Sequence, residues 1–255
     1  MRRTFASLAL FALLAAAPAL AGSADDAHKL ISQVLKAYGG WNKLAPVQAY
    51  RLEGEMFSPM RHATVPTTRV FARPDRLKAL IDYPGALEAR LVDGPRGWRT
   101  EHGGGLAEVT GPMYLAMVLQ AARCNLPWIL AERESLARVI EPREQDGVKL
   151  PGLEIPLAEG ITLRAWVNPK THLVVVSQGA LASGEMTMQF ETRYSDYREV
   201  SGVKFAFHEE SFASGTQTGI TTVKQVIVNP PLSPTEFVAP ALPDSARKPQ
   251  GHTEG

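Results

Sequence analysis

From Val47 onward the chain alternates apolar and polar residues in short runs, and turn-forming residues break the alternation at short intervals. Ser58-Pro59, Arg73-Pro74-Asp75, Tyr83-Pro84-Gly85, Asp93-Gly94-Pro95 and Gly103-Gly104-Gly105 are such breaks. A period of two between Pro and Gly punctuation specifies strands and leaves little room for long helices. The runs predict strands near residues 47–57, 66–73, 76–83, 87–92 and 97–101. A second series is expected near 136–143, 148–156, 161–168, 172–178, 185–194, 204–213 and 217–228. Val167-Asn168-Pro169-Lys170-Thr171-His172 and Glu199-Val200-Ser201-Gly202-Val203-Lys204 read as hairpin connections. Short links without a βαβ rhythm predict an antiparallel meander of about 11–12 strands, closed or nearly closed into a barrel.

Two passages break this rhythm. Leu30, Ile31, Val34 and Leu35 follow helical spacing between Asp25 and Tyr38, with Asp25 or Asp26 as the cap and Gly39-Gly40 as the stop. A second helical stretch opens at Gly111-Pro112, continues to Cys124, meets Pro127 and resumes around Trp128 to Glu132. Both faces of this 112–132 insert are apolar. It must therefore be covered on both sides or face a cavity.

Composition becomes informative once the first 21 residues are set apart. They hold 16 of roughly 115 residues of the AVILMFWYC class, and the remaining 234 are near 42% apolar, an ordinary globular value. Arg2 and Arg3, the apolar run Leu8 to Ala17, and Ala19-Leu20-Ala21 make a secretory signal with Gly22 as the expected mature start. The run is too short for the roughly 20 residues of a spanning helix. The expected organisation is a signal peptide at 1–21, one half-barrel domain at 22–240 and a disordered tail at 241–255, with the mature chain in the periplasm. Without the leader the chain carries 25 basic against 26 acidic residues and no long charge run, which argues against nucleic acid as a partner. The single cysteine, Cys124, cannot form an internal disulfide, and its apolar neighbours suit a buried inert thiol.

Chemical motifs are sparse. The six histidines, His28, His62, His102, His172, His208 and His252, include no pair at metal-ligand spacing, so neither a metal nor another cofactor is expected. His208 and Glu210 share a strand face and read as a surface or rim pair. There is no G-x-S-x-G elbow, and Gly103-Gly104-Gly105 reads as a hairpin tip, so the chain is expected not to be an enzyme; a hydrolase is the remote alternative. Arg61, Arg69, Arg73, Arg76, Arg90, Arg96 and Arg99 alternate with apolar residues, forming either a solvated outer face or a rim for an anionic head group.

The chain resembles the LolA-like and LolB-like periplasmic lipoprotein carriers, the outer-membrane lipoprotein-sorting proteins. The likeness lies in Ala37-Tyr38-Gly39-Gly40-Trp41 and its continuation to Gly54, in Tyr194-Ser195-Asp196-Tyr197 through Phe207, in Val223 through Leu232, and in Phe237-Val238-Ala239-Pro240. It implies an unclosed antiparallel barrel around a hydrophobic cavity, with the N-terminal helix and the 112–132 insert as lid or plug. It also implies a lipid, lipoprotein acyl chain or other hydrophobic molecule as partner, with an envelope protein as a further one. Candidate lining residues are Met56, Phe71, Leu80, Leu91, Trp98, Met113, Met117, Trp128, Trp166, Met186, Met188, Phe205 and Phe207, large or pliable side chains suited to variable apolar ligands. The rival reading is a non-catalytic interaction module whose half-barrel is filled by those same side chains.

Overall fold

The computed structural model describes residues 24–101, 104–158, 160–183 and 186–239, without the side chains at 182, 183 and 186. The expected leader and tail lie outside these residues, as do His102, Gly103 and His252. Helix α1 (Ala24–Ala37) has Asp25 and Asp26 in its first turn, where the helix dipole favours acid, and buries Ala27, Leu30, Ile31 and Val34. A single turn, α2 (Trp41–Leu44), follows the Gly39-Gly40 stop.

Thirteen strands form one antiparallel sheet. Strands β1 (Ala49–Ser58), β2 (Ala63–Ala72), β3 (Arg76–Tyr83), β4 (Ala86–Asp93), β5 (Arg96–Thr100) and β6 (Leu106–Val109) step outward from the middle to one edge. The next strand, β7 (Arg138–Gln145), lies at the opposite edge. From there β8 (Val148–Ala158), β9 (Ile161–Val167), β10 (Val174–Ser183), β11 (Met186–Val200), β12 (Val203–Ala213) and β13 (Thr216–Val228) step back until β13 pairs with β1. Strands β6 and β7 do not pair, so the sheet stays open. The chain crosses between these edges through α3 (Gly111–Cys124), α4 (Trp128–Glu132) and a 3-10 turn at Glu134–Leu136.

Helix α3 packs on β4 and β5 in one half of the sheet and on β9 and β10 in the other. Two strand glycines provide its seats. A Cβ on Gly97 would lie 2.9 Å from the Tyr114 ring, and one on Gly179 would lie 2.9 Å from a Leu119 methyl. Below the insert, Trp128 donates its indole N–H to the Leu44 carbonyl at 2.8 Å. The Tyr50 ring lies 6.3 Å from that of Trp128, 5.4 Å from Phe205 and 5.7 Å from Phe71. This aromatic group anchors the main core, which α1 closes from the side.

The expected open half-barrel with an N-terminal helix and a central helical insert is what the structure contains. The strand count is thirteen, because β6 is only four residues long and follows a glycine-rich link that hides its alternation. Strand β10 runs to Ser183, beyond the expected 178, through Gly179, which is kept small where α3 lies on the sheet. Strand β11 continues past the expected 194 to Val200, keeping one register with β12 on both sides of Asp196, whose φ is 51°.

Two stretches far apart in sequence meet at the end of α1. A Cβ on Gly39 (φ 125°) would lie 2.1 Å from the Gly202 carbonyl oxygen in the β11–β12 turn. Lys204 donates its backbone N–H to the Tyr38 carbonyl at 3.0 Å, and the Tyr38 and Tyr197 hydroxyls are 2.9 Å apart. Gly39→Ala should therefore cost about 1–3 kcal/mol more than Gly147→Ala, which has a positive φ but open space around it. Urea unfolding of the two variants measures the difference, and equal losses would show that only the backbone angle matters.

Candidate functional site

Strand register decides which side chains meet beneath the insert. Leu52 pairs with Arg69, Arg69 with Ala79, Ala79 with Arg90, and Arg90 with Arg99. Cross-strand partners share a face. This row therefore runs across β1 to β5 on the inner face, the side that α3 covers. A cavity of about 530 Å³ opens over it, lined also by Met56, Ile81, Tyr83, Glu88, Gln120 and Glu209. A second cavity, of about 850 Å³, adjoins it and shares Arg61, Glu88, Arg90 and Arg99 while adding Leu87, Val109 and Met113. Met113, Met117, Gln120 and Cys124, at i, i+4, i+7 and i+11, form one face of α3.

The cavity is more strongly charged than an acyl-chain tunnel requires. Arg69 donates to Glu209 at 2.7 Å in a nearly buried pair, and its other terminal nitrogen lies 3.7 Å from Cys124 Sγ. Burial opposes the charge on Arg69, yet Glu209 together with Cys124 and Tyr50 more than offsets it and the guanidinium pKa is raised. Arg61 pairs with Glu88 and stacks over the Tyr83 ring at 3.9 Å. Arg90 reaches Gln120 Oε1 at 3.5 Å, and Arg99 reaches Met113 Sδ at 2.8 Å. Deeper in, Arg123 is half-buried, its Nη1 is buried without a hydrogen-bond partner, and burial lowers its pKa. Burial also pushes Tyr194 up to about 12, and its hydroxyl bonds Ser177 Oγ at 2.7 Å. The Tyr50 hydroxyl donates to the Cys124 carbonyl at 2.9 Å, so Cys124 is a buried thiol in a polar setting.

Among the residues expected to line a ligand site, Met56 borders the first cavity and Met113 the second, with Met113 45% exposed. Phe205 borders a small space of about 50 Å³ beside Arg123 and Tyr194. Phe71, Met117, Trp128 and Phe207 pack in the main core. Leu80, Leu91 and Trp98 alternate with the cavity row and so face outward, Trp98 under the Arg96 guanidinium. Trp166 packs with Leu150 and Val176 in a separate outer cluster. Met188 lies beside Leu181 near the start of β11 and is 37% exposed, and Met186 pairs with Ser183 through its backbone.

The arginine series divides. Arg61, Arg69, Arg90 and Arg99 line the cavity, whereas Arg73 bonds Glu132, Arg76 lies over Phe237, and Arg96 bonds Glu108 on the outer face. His208 and Glu210 are 3.7 Å apart and partly exposed on the outer face, while Glu209 between them turns inward to Arg69. Sequence reading missed Glu209; its signal is an acid continuing the inward series Phe205, Phe207. Among the described residues no group of three or more His, Cys, Asp or Glu could hold a metal ion, and no helix is long and apolar enough to cross a membrane.

No family model matches the sequence, and no curated protein matches it either. Solved structures do. An outer membrane lipoprotein-sorting protein domain from Vibrio parahaemolyticus is 13% identical, with 85% of this chain and 97% of that chain covered at a TM-score of 0.54. A DUF1329 family protein from Desulfovibrio piger is 11% identical, with 84% and 96% covered at 0.54. A LolA superfamily protein from Nitrosomonas europaea is 13% identical, with 83% and 96% covered at 0.53. The chain shares the LolA-like fold with these structures over most of its length.

The Arg69–Glu209 pair yields a stability test. Arg69→Met leaves Glu209 uncompensated in a nearly buried setting and should cost about 3–5 kcal/mol. The double variant Arg69→Met/Glu209→Leu should recover most of that loss in urea unfolding. No recovery would show that the two groups act separately.

Proposed function

We propose that this chain is an exported periplasmic protein that binds a lipid or other amphiphile between the inner sheet face and α3, without chemistry. The carrying observation is the cavity of about 530 Å³ beneath the insert, contiguous with a second of about 850 Å³, in a sheet that never closes. Each volume lies within the roughly 300–1,000 Å³ usual for small-molecule sites. Leu52, Met56 and Ile81 supply apolar wall, and the unbranched thioether of Met56 adapts to chains of different shape. The insert is anchored at its α4 end, where Trp128 packs on Tyr50 and Phe205 and bonds the Leu44 carbonyl, so the Met113 end of α3 is the part that would shift to admit a chain. The half of the sheet under Leu119 is filled with side chains, which supports a cargo position over β1 to β5.

The LolA-like fold supports this reading, since one structure that shares it is named for lipoprotein sorting. Whether the cargo is itself a lipoprotein, and whether it is handed on to another envelope component, belong to the same proposal. The filled-module alternative predicts that no small molecule accompanies the protein.

Two measurements check this. Intact mass of the exported protein should correspond to a chain beginning at Gly22; retention of residues 1–21 would remove the periplasmic assignment. Organic extraction and mass spectrometry of that protein should release an acyl species, and Ala79→Phe should abolish it by filling the cavity floor while leaving the unfolding midpoint close to wild type. An empty wild-type protein that also fails to take up added lipid would favour the filled module.

A further inference from the structure

The arginine row carries more than a generic apolar site needs. Arg90 and Arg99 are direct cross-strand partners on the inner face. Like charges placed directly opposite one another on adjacent strands are destabilising, and the usual remedy is a carboxylate within reach. Elsewhere this chain applies that remedy: Arg73, Arg96, Arg143 and Arg198 bond Glu132, Glu108, Glu191 and Asp196. In the cavity the carboxylates are already engaged, Glu88 by Arg61 and Glu209 by Arg69. Glu101, on the second cavity, is exposed at the end of β5.

What Arg90 and Arg99 do reach is neutral. Their partners are the Gln120 amide oxygen and the Met113 sulfur, both on α3. Burial, and then the charge of Arg99, lower the Arg90 pKa, and the Glu88 carboxylate, bonded to Arg61, offsets them only in part. Both residues border both cavities and so stand where the two spaces join. Planar guanidinium groups on neighbouring strands present paired N–H donors suited to a carboxylate or phosphate.

We infer that Arg90 and Arg99 hold the acidic head group of the bound amphiphile at the junction of the two cavities, with its acyl chain along Leu52, Met56 and Ile81. This rests on the amphiphile-binding reading above and adds the chemical class of the ligand: a single-chain or small lipid bearing an anionic carboxylate or phosphate. Occupancy replaces two weak neutral contacts with charge-assisted hydrogen bonds and removes the like-charge repulsion across β4 and β5. It also loosens both strands' contacts to Met113 and Gln120, so the ligand and the insert compete for the same two side chains.

The test uses delipidated mature protein and three probes of equal chain length: myristate, 1-myristoyl-lysophosphatidate and neutral 1-monomyristoylglycerol. Isothermal titration should show one or both acidic probes binding about tenfold or more tighter than the neutral one, as expected for hydrogen bonds to charged groups. The tighter of the two acidic probes distinguishes a carboxylate head from a phosphate head. The double variant Arg90→Gln/Arg99→Gln should lose this preference while still binding the neutral probe. Arg96→Gln, which removes a charge from the same strand on the outer face, should keep it. Equal affinity of wild type for all three probes overturns the head-group assignment and leaves amphiphile binding standing. Failure of all three to bind overturns both. The wild-type comparison needs no variant, so it decides the matter even if the double variant does not fold.

Discussion

Strands β1 and β13 lie side by side in the middle of an open sheet, and Asn229 fastens them there. Its side-chain oxygen accepts from the backbone N–H groups of Gln48 and Ala49 at 2.8 and 3.2 Å, and its amide donates to the Pro46 carbonyl at 3.0 Å. Its own N–H donates to the Ala49 carbonyl at 2.8 Å. Once the first and last strands are neighbours at the centre, a meander that leaves by one edge must re-enter by the other. The connection from β6 to β7 therefore has to cross the inner face, and the apolar insert is that crossing. Its apolar surface on both sides follows from the route, since one side rests on the sheet and the other on α1, α2 and the strands opposite.

The two halves of the sheet receive the insert differently, and the difference is chemical. Under the α3 residue Leu119 lie Ile161, Leu181 and the bare backbone of Gly179, so helix and sheet close without a gap. On the β1 to β5 side the inner face carries Arg69, which Glu209 partners, and Arg90 and Arg99, whose ionised heads cannot be buried against a helix without carboxylates of their own. Gly97 lets Tyr114 and Met117 approach at one point of that side, but the arginines hold the rest apart. A cavity persists where charge prevents packing, and a core forms where it does not.

Much of the architecture was legible because it is written in local patterns. The turns at Ser58-Pro59, Arg73-Pro74-Asp75, Tyr83-Pro84-Gly85 and Asp93-Gly94-Pro95 link successive strands, and the helical insert stands out by its Gly111-Pro112 opening and its apolar run. The Tyr38-Gly39-Gly40 and Tyr197 to Gly202 stretches, legible as a helix stop and a hairpin, are the two sides of one contact that neither local pattern announces. The site was less legible because alternation reports which residues share a face without saying which face is inner. Here both faces carry apolar residues: Phe237 and Leu232 of the C-terminal segment cover Ala49, Val70 and Ala72 on the outer side. Leu80, Leu91 and Trp98 look from sequence as fit for the interior as Leu77, Ala79 and Ile81. Only register across five strands separates Arg90 and Arg99 from Arg76 and Arg96.

That register also bears on why such a row exists. Packing alone would favour small or apolar residues at Arg90 and Arg99, as it does at Ala79 between them and Arg69. A cation pair retained on a covered face costs stability in the empty protein and gains from any anion that enters. Binding and stability are then linked by mass action: the ligand stabilises the fold by an amount that grows with its concentration over its dissociation constant. The same arginines that keep α3 from closing on the sheet would thus keep the cavity open in the unliganded state and supply its affinity in the occupied one.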